Sequence, residues 1–104
     1  MRVALVAAFA LAVILAIVAP ILKVRHYERG FDAISEGSSQ GFVLAKMGRP
    51  WKQEKCGEYL GGVAPGCVQE FIYAHPYAPY SPEYWVVQFD ANKNVVSHVH
   101  LVSP

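Results

Sequence analysis

The sequence predicts an α+β protein: an N-terminal transmembrane helix, then two short helices packed as one layer on a three-stranded antiparallel sheet. Three observations carry this. Residues 3–22, VALVAAFALAVILAIVAPIL, hold no charge, and as a helix they match the roughly 30 Å of a bilayer's hydrocarbon core. Residues 31–50 combine a serine pair, an apolar helical face and a Gly-x-Pro stop. Residues 68–102 carry strand-like apolar alternation broken by a Pro/Tyr loop and a polar turn. The chain accordingly divides into an anchor (residues 1–22), a connector (23–30) and an α+β domain (31–104).

The anchor is read as uncleaved. A signal peptide needs a short apolar core followed by a polar stretch with small residues at the cleavage site. Here the apolar run continues through Ala16, Ala19 and Ile21, with Pro20 just after the best alanine site. No cysteine ends the run to accept a lipid. Ala4, Ala8, Ala12 and Ala16 recur every four residues, a small-residue ridge that would let a second helix approach closely.

Orientation draws opposing signals. Lys23, Arg25 and Arg29 follow the helix while Arg2 alone precedes it, which favours a cytoplasmic domain. Cys56 and Cys67 point outward. They bracket a loop rich in Gly and Pro, and a lone pair in so small a domain reads as a disulfide formed in an oxidising compartment. Zinc would need four ligands, and this spacing lacks the tight pairs of a zinc knuckle. The domain is expected on the oxidising side. Its charges nearly balance, with 9 Lys and Arg against 8 Asp and Glu in the chain, so no basic surface offers itself to nucleic acid.

Along the soluble part, residues 23–29 form a polar, aromatic connector with Tyr27 suited to the membrane interface. Residues 31–35 suggest one helical turn, broken at Gly37. Ser38 or Ser39 caps a second helix with Val43, Leu44 and Met47 on one face, ended by a left-handed Gly48 and by Pro50. Strands follow at residues 69–75 and 83–90, the second placing Trp85, Val87 and Phe89 on one face and Tyr84, Val86 and Gln88 on the other. The turn DANKN leads into a third strand, residues 95–102. Val43, Leu44, Met47, Trp85, Val87 and Phe89 are the expected core.

In this order Ile34-x-x-Gly37-Ser38-Ser39-Gln40-x-x-Val43-x-x-x-Met47-Gly48-x-Pro50, the aromatic strand Phe71-Ile72-Tyr73 and Val86-Val87-Gln88-Phe89-Asp90-x-Asn92-x-Asn94-Val95-Val96 resemble the signatures of the SmpA/OmlA (BamE-like) envelope domain family. The resemblance covers nearly all of the soluble part. Where family lipoproteins carry a lipidated cysteine this chain has a helix, and Asn94 stands where the hairpin usually has glycine. The cysteine-bracketed and Pro/Tyr loops are additions. The resemblance implies the fold and a bacterial envelope setting; the apolar helix and the cysteine pair add the expectation of a single-pass inner-membrane protein with its domain in the periplasm. It does not imply membership of the outer-membrane β-barrel assembly machinery.

Candidate chemistry is sparse. In HPYAPYSPEYW, Pro76, Pro79 and Pro82 repeat every three residues as in a polyproline II helix, with Tyr77 and Tyr80 along another edge. This loop is a stiffened hairpin connection and also the best candidate partner-binding rib. His98 and His100 share a strand face and His75 ends another strand; solvated histidines are the expected reading rather than a metal site. No carboxylate pair, nucleophile motif or phosphate-cradling glycine loop is present, so neither an enzyme nor a cofactor or small-molecule substrate is expected. The expectation is a membrane-anchored, non-catalytic envelope domain that meets the bilayer through residues 3–22 and binds a membrane protein or envelope complex. The alternative is a secreted or periplasmic inhibitor or sensor-type binder, since β-lactamase inhibitor proteins have a similar layer arrangement.

Overall fold

The computed structural model describes residues 2–57, 62–78 and 80–102 of the chain. Two helices, α1 (Arg2–Ala33) and α2 (Gln40–Met47), precede four strands: β1 (Lys52–Lys55), β2 (Gln69–Ala74), β3 (Glu83–Phe89) and β4 (Val95–Val102). The strands form one antiparallel meander in the order β1-β2-β3-β4. The fold class is as expected, but the sheet has four strands rather than three. The additional one, β1, reads KQEK; it is short and wholly polar, and it stands in the sheet only because its register to β2 runs Lys52 opposite Ile72 through Lys55 opposite Gln69. A short lysine-bearing edge strand leaves no apolar signature and discourages further pairing.

The first helix differs more. The anchor, the connector and the turn expected at residues 31–35 are one continuous helix of 32 residues, about 48 Å long. Its last turns enter the domain. Tyr27 is not an interface residue but part of the core, 5% exposed, with its ring 5.4 Å from those of both Tyr73 and Trp85. Gly30 lets α1 meet α2: a Cβ there would lie 2.6 Å from the Lys46 carbonyl oxygen and 2.8 Å from Met47 Cγ.

Ser39 is the cap of α2, its side chain accepting the Phe42 N–H at 3.1 Å. Gly48 ends the helix at φ 81°, its N–H bonded to the Leu44 carbonyl. Val43 and Met47, four apart, face the sheet. Leu44, expected in the core, is 40% exposed, because one position along the helix turns it about 100° away from that face.

The core lies between the helices and the inner face of the sheet, where Phe71, Tyr73, Trp85, Val87, Phe89 and Val95 meet Tyr27, Ile34, Val43 and Met47. Tyr73 donates to the Gly48 carbonyl at 2.8 Å, tying β2 to the end of α2. Burial, and secondarily Tyr27 nearby, pushes its phenol well above the usual tyrosine range. In the β3–β4 turn the Asp90 carboxylate accepts the N–H groups of Asn92 and Asn94, and Lys93 rather than Asn94 takes the left-handed conformation, at φ 62°.

Cys56 and Cys67 are joined as a disulfide, with Cα atoms 6.0 Å apart. The segment between them puts Gly62 and Ala64 against the outer face of the sheet. There the Gln88 amide donates to the Gly62 carbonyl and accepts from the Ala64 N–H. Val86 and Gln88, on the face of β3 opposite Trp85, Val87 and Phe89, are therefore buried too.

Candidate functional site

Two regions concentrate the exposed and unsatisfied groups. The first is the end of the sheet that faces the anchor. The connection between β2 and β3, residues 75–82, lies alongside α1, and the Tyr77 hydroxyl donates to the Ala16 carbonyl at 3.0 Å. That carbonyl is free for a covalent reason. Pro20, four residues on, has no N–H to complete the helical hydrogen bond, and its ring pushes the carbonyl outward. The loop is not the polyproline rib expected from its proline spacing. Ala78 N–H bonds to the His75 carbonyl and Ser81 N–H to the Tyr77 carbonyl, the local bonds that a polyproline helix lacks. Tyr77 is half-exposed and Tyr80 is 93% exposed, while Pro76 and Pro82 are half-buried. Pro79 lies outside the described residues. Ala4, Ala8, Ala12 and Ala16 are all exposed on α1.

The second region is the outer face and free edge of β4. This strand pairs with β3 along its length, but only its first residue has a partner on the other side, where Val95 exchanges hydrogen bonds with Gly37 and Ser38. From Val96 onward the outer edge is unpaired among the described residues. Val99, Leu101 and Val102 are exposed at 44%, 37% and 63%. Beside them a cavity of about 320 Å³ is lined by Val63, Ala64, Val86, Val99 and Leu101, with Glu70 among its polar members. Glu70 is 1% exposed. Its Oε1 accepts the Gly57 N–H at 2.6 Å and the Gln88 amide at 3.4 Å, whereas Oε2 is buried with no partner among the described residues.

Of the histidines described, His98 and His100 lie on the inner face of β4 and His75 lies in the first region. His100 stacks on Trp85, the rings 4.9 Å apart and within 5° of parallel, and its Nε2 lies 3.6 Å from the Glu83 carboxylate. His98 packs on Phe31, so both are inner-face residues that wall the core. His75 Nδ1 accepts the Tyr77 N–H and shapes the loop. Among the described residues no three His, Cys, Asp or Glu come together as a metal would need.

Sequence reasoning missed the Pro20–Ala16–Tyr77 linkage and the buried Glu70. A lone proline in an apolar helix does flag an unpaired carbonyl four residues earlier, but only the fold identifies its partner. Nothing in the sequence separates Glu70 from the exposed carboxylates around it. No family model matches the chain, and no curated protein or solved structure is significantly similar to it.

Proposed function

We propose that this is a membrane-anchored, non-catalytic binding domain of the bacterial envelope, which holds a neighbouring membrane or envelope protein through the free edge of β4. The observation that carries the reading is that edge. A strand of 8 residues, without acidic or basic side chains apart from two histidines, leaves the backbone groups of its outer edge from Val96 onward unpaired among the described residues, beside an apolar cavity. Natural sheet edges are usually short, charged or covered, as β1 is, so a long bare one suits the addition of a strand from a partner. Side chains of that strand would meet the cavity's apolar wall of Val86, Val99 and Leu101.

The anchor supports the same reading. It confines the domain to a thin layer near the bilayer, where even weak contacts with membrane neighbours are made effective by local concentration. The disulfide favours an oxidising compartment, hence a periplasmic domain on an inner-membrane anchor. The resemblance to SmpA/OmlA domains supports an envelope setting. We place the chain near that family as a proposal, without a role in barrel assembly.

The test is photo-crosslinking in intact cells from position 101, compared with position 92 in the far turn. A partner should be captured from 101 alone. Capture from 101 should fail in Val99→Lys/Val102→Lys, which puts charge on β4 at two exposed positions, while the melting temperature stays unchanged. Equal capture from both positions, or capture that survives the lysines, contradicts the assignment.

A further inference from the structure

We infer that the loop carrying Tyr77 and Tyr80 is seated in the bilayer itself, in the headgroup layer and the adjoining acyl chains, as a second membrane contact of the domain. This rests on reading α1 as membrane-spanning. Ala16 lies six residues before the end of the apolar run at Leu22, about 9 Å deeper along the helix axis. Tyr77 is hydrogen-bonded there. Were the membrane boundary drawn on the N-terminal side of that contact, only residues 3–15 would remain inside, about 20 Å of helix for about 30 Å of hydrocarbon. The span is long enough only if the loop enters the membrane with it.

The loop is built for that environment. Backbone N–H groups that enter lipid must be bonded internally or be absent. The N–H groups of His75, Tyr77, Ala78, Ser81 and Glu83 bond respectively to the Glu83 carbonyl, His75 Nδ1, and the carbonyls of His75, Tyr77 and Ser81. The sequence places prolines, which have no N–H, at 76, 79 and 82. No charged residue occurs from His75 to Pro82. Tyr80, 93% exposed, projects an amphipathic ring of the kind that concentrates at membrane interfaces.

The surroundings are graded to match. A groove of about 570 Å³ between loop and helix has Ile17, Pro20 and Ile21 in its walls toward the anchor's N-terminal side, and Arg25 and Glu28 beyond them. On the other side of the loop, Lys23, Arg49 and Trp51 line a cavity of about 560 Å³, placing cations and an aromatic where lipid phosphates would lie. With two contacts, helix and loop, the domain cannot swing freely on its anchor. The end of the sheet at residues 83 and 102 faces the membrane and the turn at residues 90–94 points away from it.

The full chain in phospholipid bicelles doped with a lipid carrying a nitroxide near the top of its acyl chain tests this by paramagnetic broadening of amide signals. Phe9 in the anchor and Ala78 and Tyr80 in the loop should broaden several-fold more than Asn92 and Lys93 in the far turn. Tyr77→Ser/Tyr80→Ser, which alters no core side chain, should reduce the broadening at Ala78 and leave that at Phe9 unchanged. If Phe9 broadens while Ala78 and Tyr80 stay as sharp as Asn92, the loop lies outside the bilayer and is free for a protein partner; the inference is then overturned and the anchor stands. If Phe9 also stays sharp, the anchor reading falls and the inference falls with it.

Discussion

Replacing Tyr77 with phenylalanine removes one hydroxyl, and its cost depends on a proline far away in sequence. In the native chain the Ala16 carbonyl has the Tyr77 hydroxyl at 3.0 Å in place of the helical donor that Pro20 cannot supply. Tyr77→Phe strands that carbonyl. An unsatisfied backbone acceptor costs about 1–3 kcal/mol when buried, and this one is exposed, so about 1 kcal/mol is expected in detergent solution. The loss falls on docking of the loop rather than on global stability. It is read by hydrogen exchange at Ala78 and Ser81, whose N–H groups bond within the loop. Exchange there should quicken roughly fivefold, the equivalent of 1 kcal/mol. In a Pro20→Ala background the restored N–H at position 20 takes the Ala16 carbonyl, and the same Tyr77→Phe change should then have little effect. The cycle should thus show a coupling of about 1 kcal/mol between positions 20 and 77, far apart along the chain but joined in space. Equal effects of Tyr77→Phe in both backgrounds would refute the reasoning, because the hydroxyl would then not be serving the carbonyl that Pro20 frees.

Two glycines should respond with opposite signs. Gly30→Ala drives a Cβ to 2.6 Å from the Lys46 carbonyl and should destabilise the domain by about 1–3 kcal/mol, whereas Gly41→Ala, with its nearest neighbour Ser39 Oγ at 4.0 Å, should stabilise it by about 0.5–1 kcal/mol; thermal unfolding measures both. Tyr73 has its phenol raised by burial above its unfolded value, so its contribution is fully present below about pH 10 and is lost as pH rises through the folded value. Tyr73→Phe should therefore flatten the fall in stability seen above that pH, in denaturant titrations across the alkaline range. Alkylation of denatured, unreduced protein should label neither Cys56 nor Cys67, and both after reduction; Cys56→Ala should cost about 2–4 kcal/mol of unfolding free energy.

Much of the soluble domain was legible because local chemistry and global packing agree there. The Ser39 cap, the Gly48 stop, the alternation of Trp85, Val87 and Phe89 and the turn at Asp90 each act within a few residues, and each is found in place. Long-range effects were not legible. Lys52 to Lys55 form a strand only because β2 offers them an edge. Val86 and Gln88 are buried on the outer face because the disulfide-closed segment folds over them. Charges at Lys23, Arg25 and Arg29 suggested a connector separate from the domain, yet Arg25 and Arg29 stud the outside of a helix whose other side carries Tyr27 and Gly30 into the core, and Lys23 reaches over the Tyr27 ring, its Nζ 5.8 Å from the centroid. The proline spacing at 76–82 suggested a free-standing rib; the hydrogen bonds of the loop and its contact with Ala16 make it a docked turn instead.

Residues 3–22 must remain attached to the domain, since the proposed membrane contact, the confinement near a partner and the Tyr77–Ala16 bond all require them. The most direct measurement is intact mass and N-terminal sequencing of the protein recovered from cell membranes after alkaline carbonate washing. Recovery in the washed membranes with the apolar segment intact is the predicted result. A mature chain that begins after Ala16 or Ala19 and is released as a soluble protein would contradict it, and would favour a freely diffusing inhibitor or sensor-type binder.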